Sequence, residues 1–231
     1  MIKKDSGIAF NLISHQKLEN LSSAEKLNYI LNEVKAGRIL VFPSPLNSNS
    51  YLSLTSGGTG DHLGYQLGLG ILTNSTATDV VATTSWPGET STSTSNPRAL
   101  IFSGPITGNR TASSFDFLPY PGLAAGYATR FDVGDLSGDG RVEVLVGAPN
   151  AGSSTSCTNV GAAHLYLSNP ANPSQPALTI FQPPTVDGGS FGFGVAVVPY
   201  SPGNPSLLLV GGQGQMVGGI AAGQVYVYKR N

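Results

Sequence analysis

Short apolar runs, separated by glycine, proline, asparagine and serine, fill the chain from residue 38 to its end. Clear examples are RILVF at 38–42, VEVLVGAP at 142–149, SLLLVGG at 206–212 and QVYVYK at 224–229. Short runs rich in valine, isoleucine, leucine and tyrosine, bounded by turn residues, are typical of β-strands. The pattern therefore predicts an all-β region over residues 38–231.

A different pattern precedes this region, in LSSAEKLNYILNEVKAG at residues 21–37. Four apolar side chains recur there at helical spacing, namely Leu27, Ile30, Leu31 and Val34. Ser22 and Glu25 form a capping box, and Gly37 supplies a stop signal. The sequence therefore predicts one amphipathic helix near 23–35, in an N-terminal segment 1–37 that is separate from the all-β domain 38–231.

The β-rich region contains three similar units, one after another. If Gly64, Gly126 and Gly192 are taken as equivalent, the repeat periods are 62 and 66 residues. Each unit reads as a first strand, a loop, a buried second strand, a long loop and a third strand. Fourth strands are predicted in SSFDFL (113–118) and ALTIFQ (177–182). Four antiparallel strands per unit form the blade of a β-propeller, so we expect about three to four blades in an incomplete ring.

These units resemble the FG-GAP repeats of integrin alpha-chain propellers. Phe191 and Gly192 supply the letters FG, and GAP stands at 147–149. The resemblance covers about residues 38–231. It implies a calcium loop of the form D-x-[DN]-x-[DN]-G-x-x-D between the first and second strands of a unit, which in this family chiefly braces the loop.

One loop of the chain is similar to that form, in DVGDLSGDGRVEVLVGAPN at 132–150, where it reads D-x-S-x-D-G-x-x-E. Ser137 stands where the family usually has aspartate or asparagine, and Glu143 where it usually has aspartate. Calcium is bound by six to eight oxygen ligands, and five candidate ligands are Asp135, Ser137, Asp139, the carbonyl of Arg141, and Glu143. The corresponding loops of the other two units lack this acid set and align as two residues shorter. We expect one Ca²⁺ site, and the alternative is a solvated turn rich in aspartate and glycine.

Composition narrows the classes of partner. Charged residues make up 11% of the chain and the net charge is −1, against about 25% charged in an average protein. This balance provides no basic surface for nucleic acid or an anionic membrane. No apolar run approaches the roughly 20 residues of a membrane span, and no signal peptide is evident. Because Cys157 is the single cysteine, an internal disulfide and a multi-cysteine zinc site are both excluded.

Signals of catalysis are weak, so no enzyme is predicted. GGSFG at 188–192 matches the nucleophile-elbow pattern, but no histidine follows Ser190, as that motif requires. His62 beside Asp61 is interpreted as a loop residue, and His164 as a strand residue. Three loop aromatics offer faces for a sugar or a peptide but are interpreted as packing residues: Trp86, Tyr120 and Tyr200.

The resemblance implies a non-enzymatic module for protein or cell-surface binding, located outside the cell or on its surface. Its expected partner is a protein or glycan on a surface, with self-association or a missing remainder of the propeller as further possibilities. A carbohydrate-binding lectin propeller and a non-catalytic domain of a larger secreted hydrolase are the alternatives.

Overall fold

The computed structural model describes residues 29–33, 38–42, 51–56, 63–73, 76–84, 98–112, 130–151, 160–168, 178–180 and 189–229. These residues form sixteen β-strands and no helix, and none of them builds a helix that could cross a membrane. The strands are β1 (Tyr29–Glu33), β2 (Arg38–Phe42), β3 (Leu52–Thr55), β4 (Leu67–Gly70), β5 (Asp79–Thr83), β6 (Ala99–Phe102), β7 (Arg110–Thr111), β8 (Arg130–Gly134), β9 (Glu143–Ala148), β10 (Ala162–Tyr166), β11 (Leu178–Ile180), β12 (Phe191–Val198), β13 (Leu207–Gly212), β14 (Met216–Val217), β15 (Ile220–Ala221) and β16 (Gln224–Lys229).

The strands assemble into small sheets, which confirms the all-β prediction. The first sheet has the order β1-β2-β3-β7, the second β4-β5-β6, the third β11-β10-β9-β8 and the fourth β12-β13-β16, and β14-β15 form a separate hairpin. All pairs are antiparallel except β3 with β7, which are parallel. The third sheet has four strands in sequence order, as expected for a complete blade, and β11 confirms the strand predicted in ALTIFQ. The strand predicted in SSFDFL lies outside the described residues.

Consecutive sheets pack face to face through three apolar clusters. Ile39 and Leu54 of the first sheet meet Leu100 of the second. A second cluster joins the second sheet to the third, and a third cluster, which includes Leu145 and Leu208, joins the third sheet to the fourth. Successive side chains of a strand point to opposite faces, so each inner sheet contributes to two clusters. This stacking brings the loops at one end of the sheets next to one another.

Strand pairing gives a more regular repeat than the glycine alignment predicts. The hairpins pair Gly70 with Asp79, Gly134 with Glu143, and Val198 with Leu207. Equivalent pairs are therefore 64 residues apart in both steps, rather than 62 and 66. The three hairpin loops, 71–78, 135–142 and 199–206, all have eight residues, so the expectation of shorter loops in the outer units is wrong. The register of the hydrogen-bonded strands therefore shows which residues of the three units correspond, and a single shared glycine does not.

The letters FG and GAP meet in space. Phe191 donates its backbone N–H to the carbonyl of Val160 at 3.0 Å. A Cβ added at Gly147 would overlap the carbonyl oxygen of Gly192, and one added at Gly192 would overlap that of Ala162. Gly192 also has a φ of 88°, which favours glycine. The motif thus marks where the first strand of one unit passes close to the backbone of the preceding unit.

The predicted N-terminal helix is wrong for the residues that the structure describes. Tyr29–Glu33 form β1 and pair with Arg38–Phe42 along their whole length, across the predicted boundary between 37 and 38. This pairing satisfies backbone groups through a neighbouring strand, and such tertiary context overrides local helical propensity. The remaining helix positions, 23–28 and 34–35, lie outside the described residues.

Candidate functional site

The loop at 135–142 is organised around the carboxylate of Asp135. Its Oδ1 accepts the backbone N–H of Ser137 at 3.0 Å and of Gly138 at 2.6 Å, and its Oδ2 accepts that of Gly140 at 2.8 Å. Burial alone would raise the pKa of Asp135, but hydrogen bonds from the backbone of four loop residues outweigh it and lower the pKa. Because these bonds favour the ionised form, Asp135 holds a negative charge at the centre of the loop.

Glycine and an aromatic ring give the loop its shape. Gly138 has a φ of 79°, and a Cβ there would overlap the ring of Tyr200. Tyr200 also donates its backbone N–H to the carbonyl of Asp135 at 2.7 Å. The interpretation of Tyr200 as a packing residue is therefore supported, since its ring lies against the loop. The positive φ expected at Gly140 is observed as well, at 81°.

The side chain of Glu143 lies on the buried side of the loop and hydrogen-bonds to it. It is 3% exposed, its Oε2 accepts the backbone N–H of Leu136 at 2.7 Å, and its Oε1 accepts the hydroxyl of Ser168 at 3.3 Å. Burial raises the pKa of Glu143, and the negative charges of Asp139 and Asp135 raise it further, against the opposing effect of the two hydrogen bonds. Asp139 and Asp135 are therefore close enough to Glu143 to disfavour a negative charge on its carboxylate.

A carboxylate equivalent to Glu143 was missed by sequence reasoning. Asp79, 64 residues earlier, is fully buried and accepts the backbone N–H groups of Leu72 at 2.8 Å, Thr73 at 2.7 Å and Gly104 at 2.8 Å. Leu72 and Leu136 are also 64 residues apart, so both units use an acid seven residues after a leucine to close the loop. Aligning the loops at equal length would have revealed this repeat.

Neighbouring loops are joined along the stack. Arg141 donates its Nη1 to the carbonyl of Thr73 at 2.7 Å, and Val142 donates its backbone N–H to the carbonyl of Ile71 at 3.0 Å. On the other side, Ser206 donates its hydroxyl to the carbonyl of Leu136 at 2.9 Å. The loop at 135–142 is therefore held between the loops of the second and fourth sheets.

The structure places the five predicted ligand residues on one turn and the strand that follows it. Asp139 accepts the backbone N–H of Arg141 at 2.9 Å and lies on the exposed side of the loop. Glu143, by contrast, is turned inward. Within the described ranges, no three side chains of the histidine, cysteine, aspartate or glutamate type are grouped so as to hold a metal ion. Asp135, Ser137 and Asp139 share the solvent side, and Glu143 lies behind them.

The other candidate residues occupy ordinary positions where they are described. Ser190 is followed by strand β12, so the strand-to-helix turn of a nucleophile elbow is absent there. His164 lies in β10 and is 3% exposed, as a strand residue should be. The candidates outside the described residues are Cys157, His15, His62, Trp86 and Tyr120.

Comparison with protein families supports the resemblance that the loop suggested. Residues 127–166 match the FG-GAP repeat family, and this segment contains β8, the acid-rich loop, β9 and β10. No curated protein matches the chain. The described part of the chain is therefore an all-β protein of small stacked, mostly antiparallel sheets, and β8, β9 and β10 of its third sheet lie in the segment that matches an FG-GAP repeat.

Proposed function

We propose that this chain is a propeller-type binding module in which a calcium ion braces the loop at 135–142. The observation that carries the proposal is the acid-rich loop inside the matched repeat, directly before a strand that ends in the letters GAP. The expected ligand is a protein or glycan on a surface, and the expected location is outside the cell or on its surface. No catalytic role is proposed for any residue.

The donor atoms of the loop suit a hard cation, because all of them are oxygens. Side-chain oxygens of Asp135, Ser137, Asp139 and Glu143, with the carbonyl of Arg141, would hold the ion. A bound calcium ion supplies positive charge among carboxylates that otherwise repel one another. Glu143, whose Oε1 accepts a long 3.3 Å hydrogen bond, is the member whose hydrogen bonds would have to change.

Hydrogen bonds within the chain help to hold the loop in its shape. Asp135 already accepts three backbone N–H groups, and Glu143 already accepts the N–H of Leu136. Calcium is therefore proposed to add stability to a loop that these hydrogen bonds also support. Calcium removal should lower the melting temperature without unfolding the chain.

Thermal melting in calcium and in a chelator, with calorimetry, tests the site. Binding to the native state alone stabilises by about 2.7 kcal/mol when free calcium is a hundredfold above Kd. Asp139→Ala should abolish the difference between the two melting curves. Ser137→Ala should weaken the calcium response, whereas Ser201→Ala, at the equivalent position 64 residues later, should leave it unchanged. Identical wild-type curves with no calorimetric binding would make the loop a solvated turn.

The binding role needs a separate measurement. We expect the purified chain to be retained on intact cells or on a glycan array in calcium. Retention should fall in a chelator, because the loops at this end of the sheets would be less firmly braced. Absence of retention on both surfaces at every calcium level would contradict a surface-binding module.

A further inference from the structure

The fourth sheet exposes an apolar face that lies on the side away from the third sheet. Directly opposite residues of paired strands lie on the same face of a sheet. Strand register gives this outer face nine residues, in three rows across β12, β13 and β16: Val198, Leu207 and Lys229; Ala196, Leu209 and Val227; Gly194, Gly211 and Val225. Val227 is 59% exposed and Val225 is 62% exposed. Lys229, at one corner, is the single charged residue of the nine.

Corresponding positions earlier in the stack form the interfaces between sheets. By register, the counterparts of Leu209, Val225 and Val227 are Leu145, Ala163 and Leu165 in the third sheet, and Val81, Ala99 and Ile101 in the second. Each of these six counterparts is at most 5% exposed. Each also belongs to the apolar cluster that joins its sheet to the next one. The outer face of the fourth sheet is therefore built like a sheet-on-sheet interface, and no further sheet of the described residues covers it.

The opposite end of the stack presents a different kind of face. Leu54 of the first sheet packs against the second sheet, so its neighbours Ser53 and Thr55 point outward. Arg38 lies in the same row, since it pairs with Thr55 on one side and with Glu33 on the other. Packing this polar face against the apolar fourth sheet would bury polar groups without partners. A head-to-tail contact between two copies of the chain is therefore disfavoured.

The outer face of the fourth sheet is complementary in shape to itself. A Cβ added at Gly194 would meet no atom within 4 Å, so the row that contains Gly194 and Gly211 forms a hollow. The row at the other end of the face carries the larger side chains of Val198 and Leu207. A two-fold axis running across the strands, through the middle row, would place these larger side chains of one copy over the hollow of the other.

We propose that this face pairs with the same face of a second copy of the chain, in a two-fold symmetric dimer. The same axis keeps the two Lys229 side chains apart, because each lies over the Val225 end of the other copy. Nine residues on three strands cover roughly 300 Å² on each copy, less than the roughly 800 Å² of a standard interface. Association should therefore be weak, with a Kd of roughly 10 µM or higher.

Sedimentation equilibrium of the full chain, from about 1 µM to 1 mM, tests the proposal. The average mass should rise with concentration from that of one chain toward that of two, and it should stop there because a two-fold interface closes on itself. A mass of one chain at every concentration would assign the face to a different protein chain and overturn the proposal. A mass that grows past two chains would also overturn it, since such growth indicates head-to-tail contacts.

Variants locate the contact. Val227→Asp places a charge in the middle row of both copies and should raise the Kd by roughly tenfold or more. Gly194→Val fills the hollow and should also raise the Kd, although valine suits a strand better than glycine and should not lower the melting temperature. Ser53→Asp is the matched control, because it adds the same charge to the outward face of the first sheet. It should leave the Kd unchanged.

Melting curves at low concentration, where the chain is a monomer, establish that each variant is folded. Gly194→Val keeps the test open if Val227→Asp does not fold. An equal loss of association in Ser53→Asp and Val227→Asp would contradict the proposed contact, because only one of the two residues lies on the fourth sheet. Unchanged association in both fourth-sheet variants would contradict it as well.

Discussion

Two kinds of residue have a clear structural role in this chain. Glycines allow two backbones to lie close together, and buried acids accept hydrogen bonds from the hairpin loops. Gly147 and Gly192 allow the backbone of one unit to pass against that of the preceding unit. This contact gives the letters FG and GAP a physical meaning, since a larger residue at either position would push two sheets apart. The sequence contains the letters, but their meeting depends on strands more than forty residues apart.

We predict that Gly192→Ala destabilises the fold by roughly 3 kcal/mol, because it adds both a steric overlap and an unfavourable positive φ. Urea unfolding followed by circular dichroism measures the change. Gly194→Ala is the matched control, since a Cβ there would meet no atom within 4 Å. Its unfolding free energy should stay within about 1 kcal/mol of wild type. Equal effects of the two substitutions would contradict the proposed close approach.

His164 gives a residue-scale prediction about pH. Burial lowers its pKa, so the folded chain resists a proton that the unfolded chain accepts below about pH 6.5. The contribution of His164 to the free energy of unfolding is therefore complete above that pH, and it is lost as the pH falls toward the lowered pKa of the folded state. We expect His164→Gln to reduce the fall in melting temperature between pH 7.5 and 5.5.

His15→Gln is the control for this pH dependence, since it removes a histidine but leaves β10 unchanged. It should melt with the wild-type pH dependence. If His164→Gln follows the wild-type curve over the whole range, burial of His164 has no linked effect on stability.

At the scale of secondary-structure elements, the sequence predicts where strands form better than it predicts which strands pair. Each of the predicted runs that the structure describes forms a strand, because a short apolar run between turn residues has few alternatives. β1 was not predicted, because its apolar residues also fit helical spacing. β7 has two residues and depends on parallel pairing with β3, which lies more than fifty residues earlier and leaves no local signal.

The site shows the same division between local and distant information. Asp135, Ser137 and Asp139 were placed on one loop from their spacing, and the structure agrees. The inward orientation of Glu143 was not predicted, because it depends on Leu136 and Ser168. Its equivalence with Asp79 was missed because the glycine alignment gave the loops unequal lengths, and strand register corrects those lengths.

The closing carboxylates make a prediction about the hairpin loops. Asp79→Ala would leave the buried N–H groups of Leu72 and Thr73 and the partly buried N–H of Gly104 without their acceptor, at a cost of roughly 3–5 kcal/mol. Asp139→Ala, measured in chelator, removes an exposed loop acid and should cost less than about 1 kcal/mol. Urea unfolding of both variants provides the comparison. Similar costs would mean that Asp79 does not close its loop.

At the scale of the whole molecule, the two ends of the stack differ. Leu145, buried against the fourth sheet, is equivalent by register to Leu209, which pairs with Val227 on the far face of the fourth sheet. Val227 is 59% exposed and its neighbour Val225 is 62% exposed. The inner sheets bury this face against the next sheet, whereas the fourth sheet leaves it exposed. Self-association and a further part of the propeller stay predictions for this face.

The opposite end gives the last prediction, which concerns the edge of the first sheet. Tyr29–Glu33 pair with β2 there, so β1 covers the edge that β2 would otherwise expose. Removing residues 1–36 would expose the backbone groups of β2, and an exposed strand edge promotes association. We expect this deletion to associate or lose solubility in light scattering at increasing concentration, with a lower melting temperature.

Removing residues 1–28 is the matched control, because it leaves β1 and every other described residue in place. It should keep the mass and the melting temperature of the full chain. A 1–36 deletion that stays monomeric with unchanged melting would show that β1 does not protect the edge. If both deletions associate equally, the protection comes from residues before β1, and the pairing of β1 with β2 is not its cause.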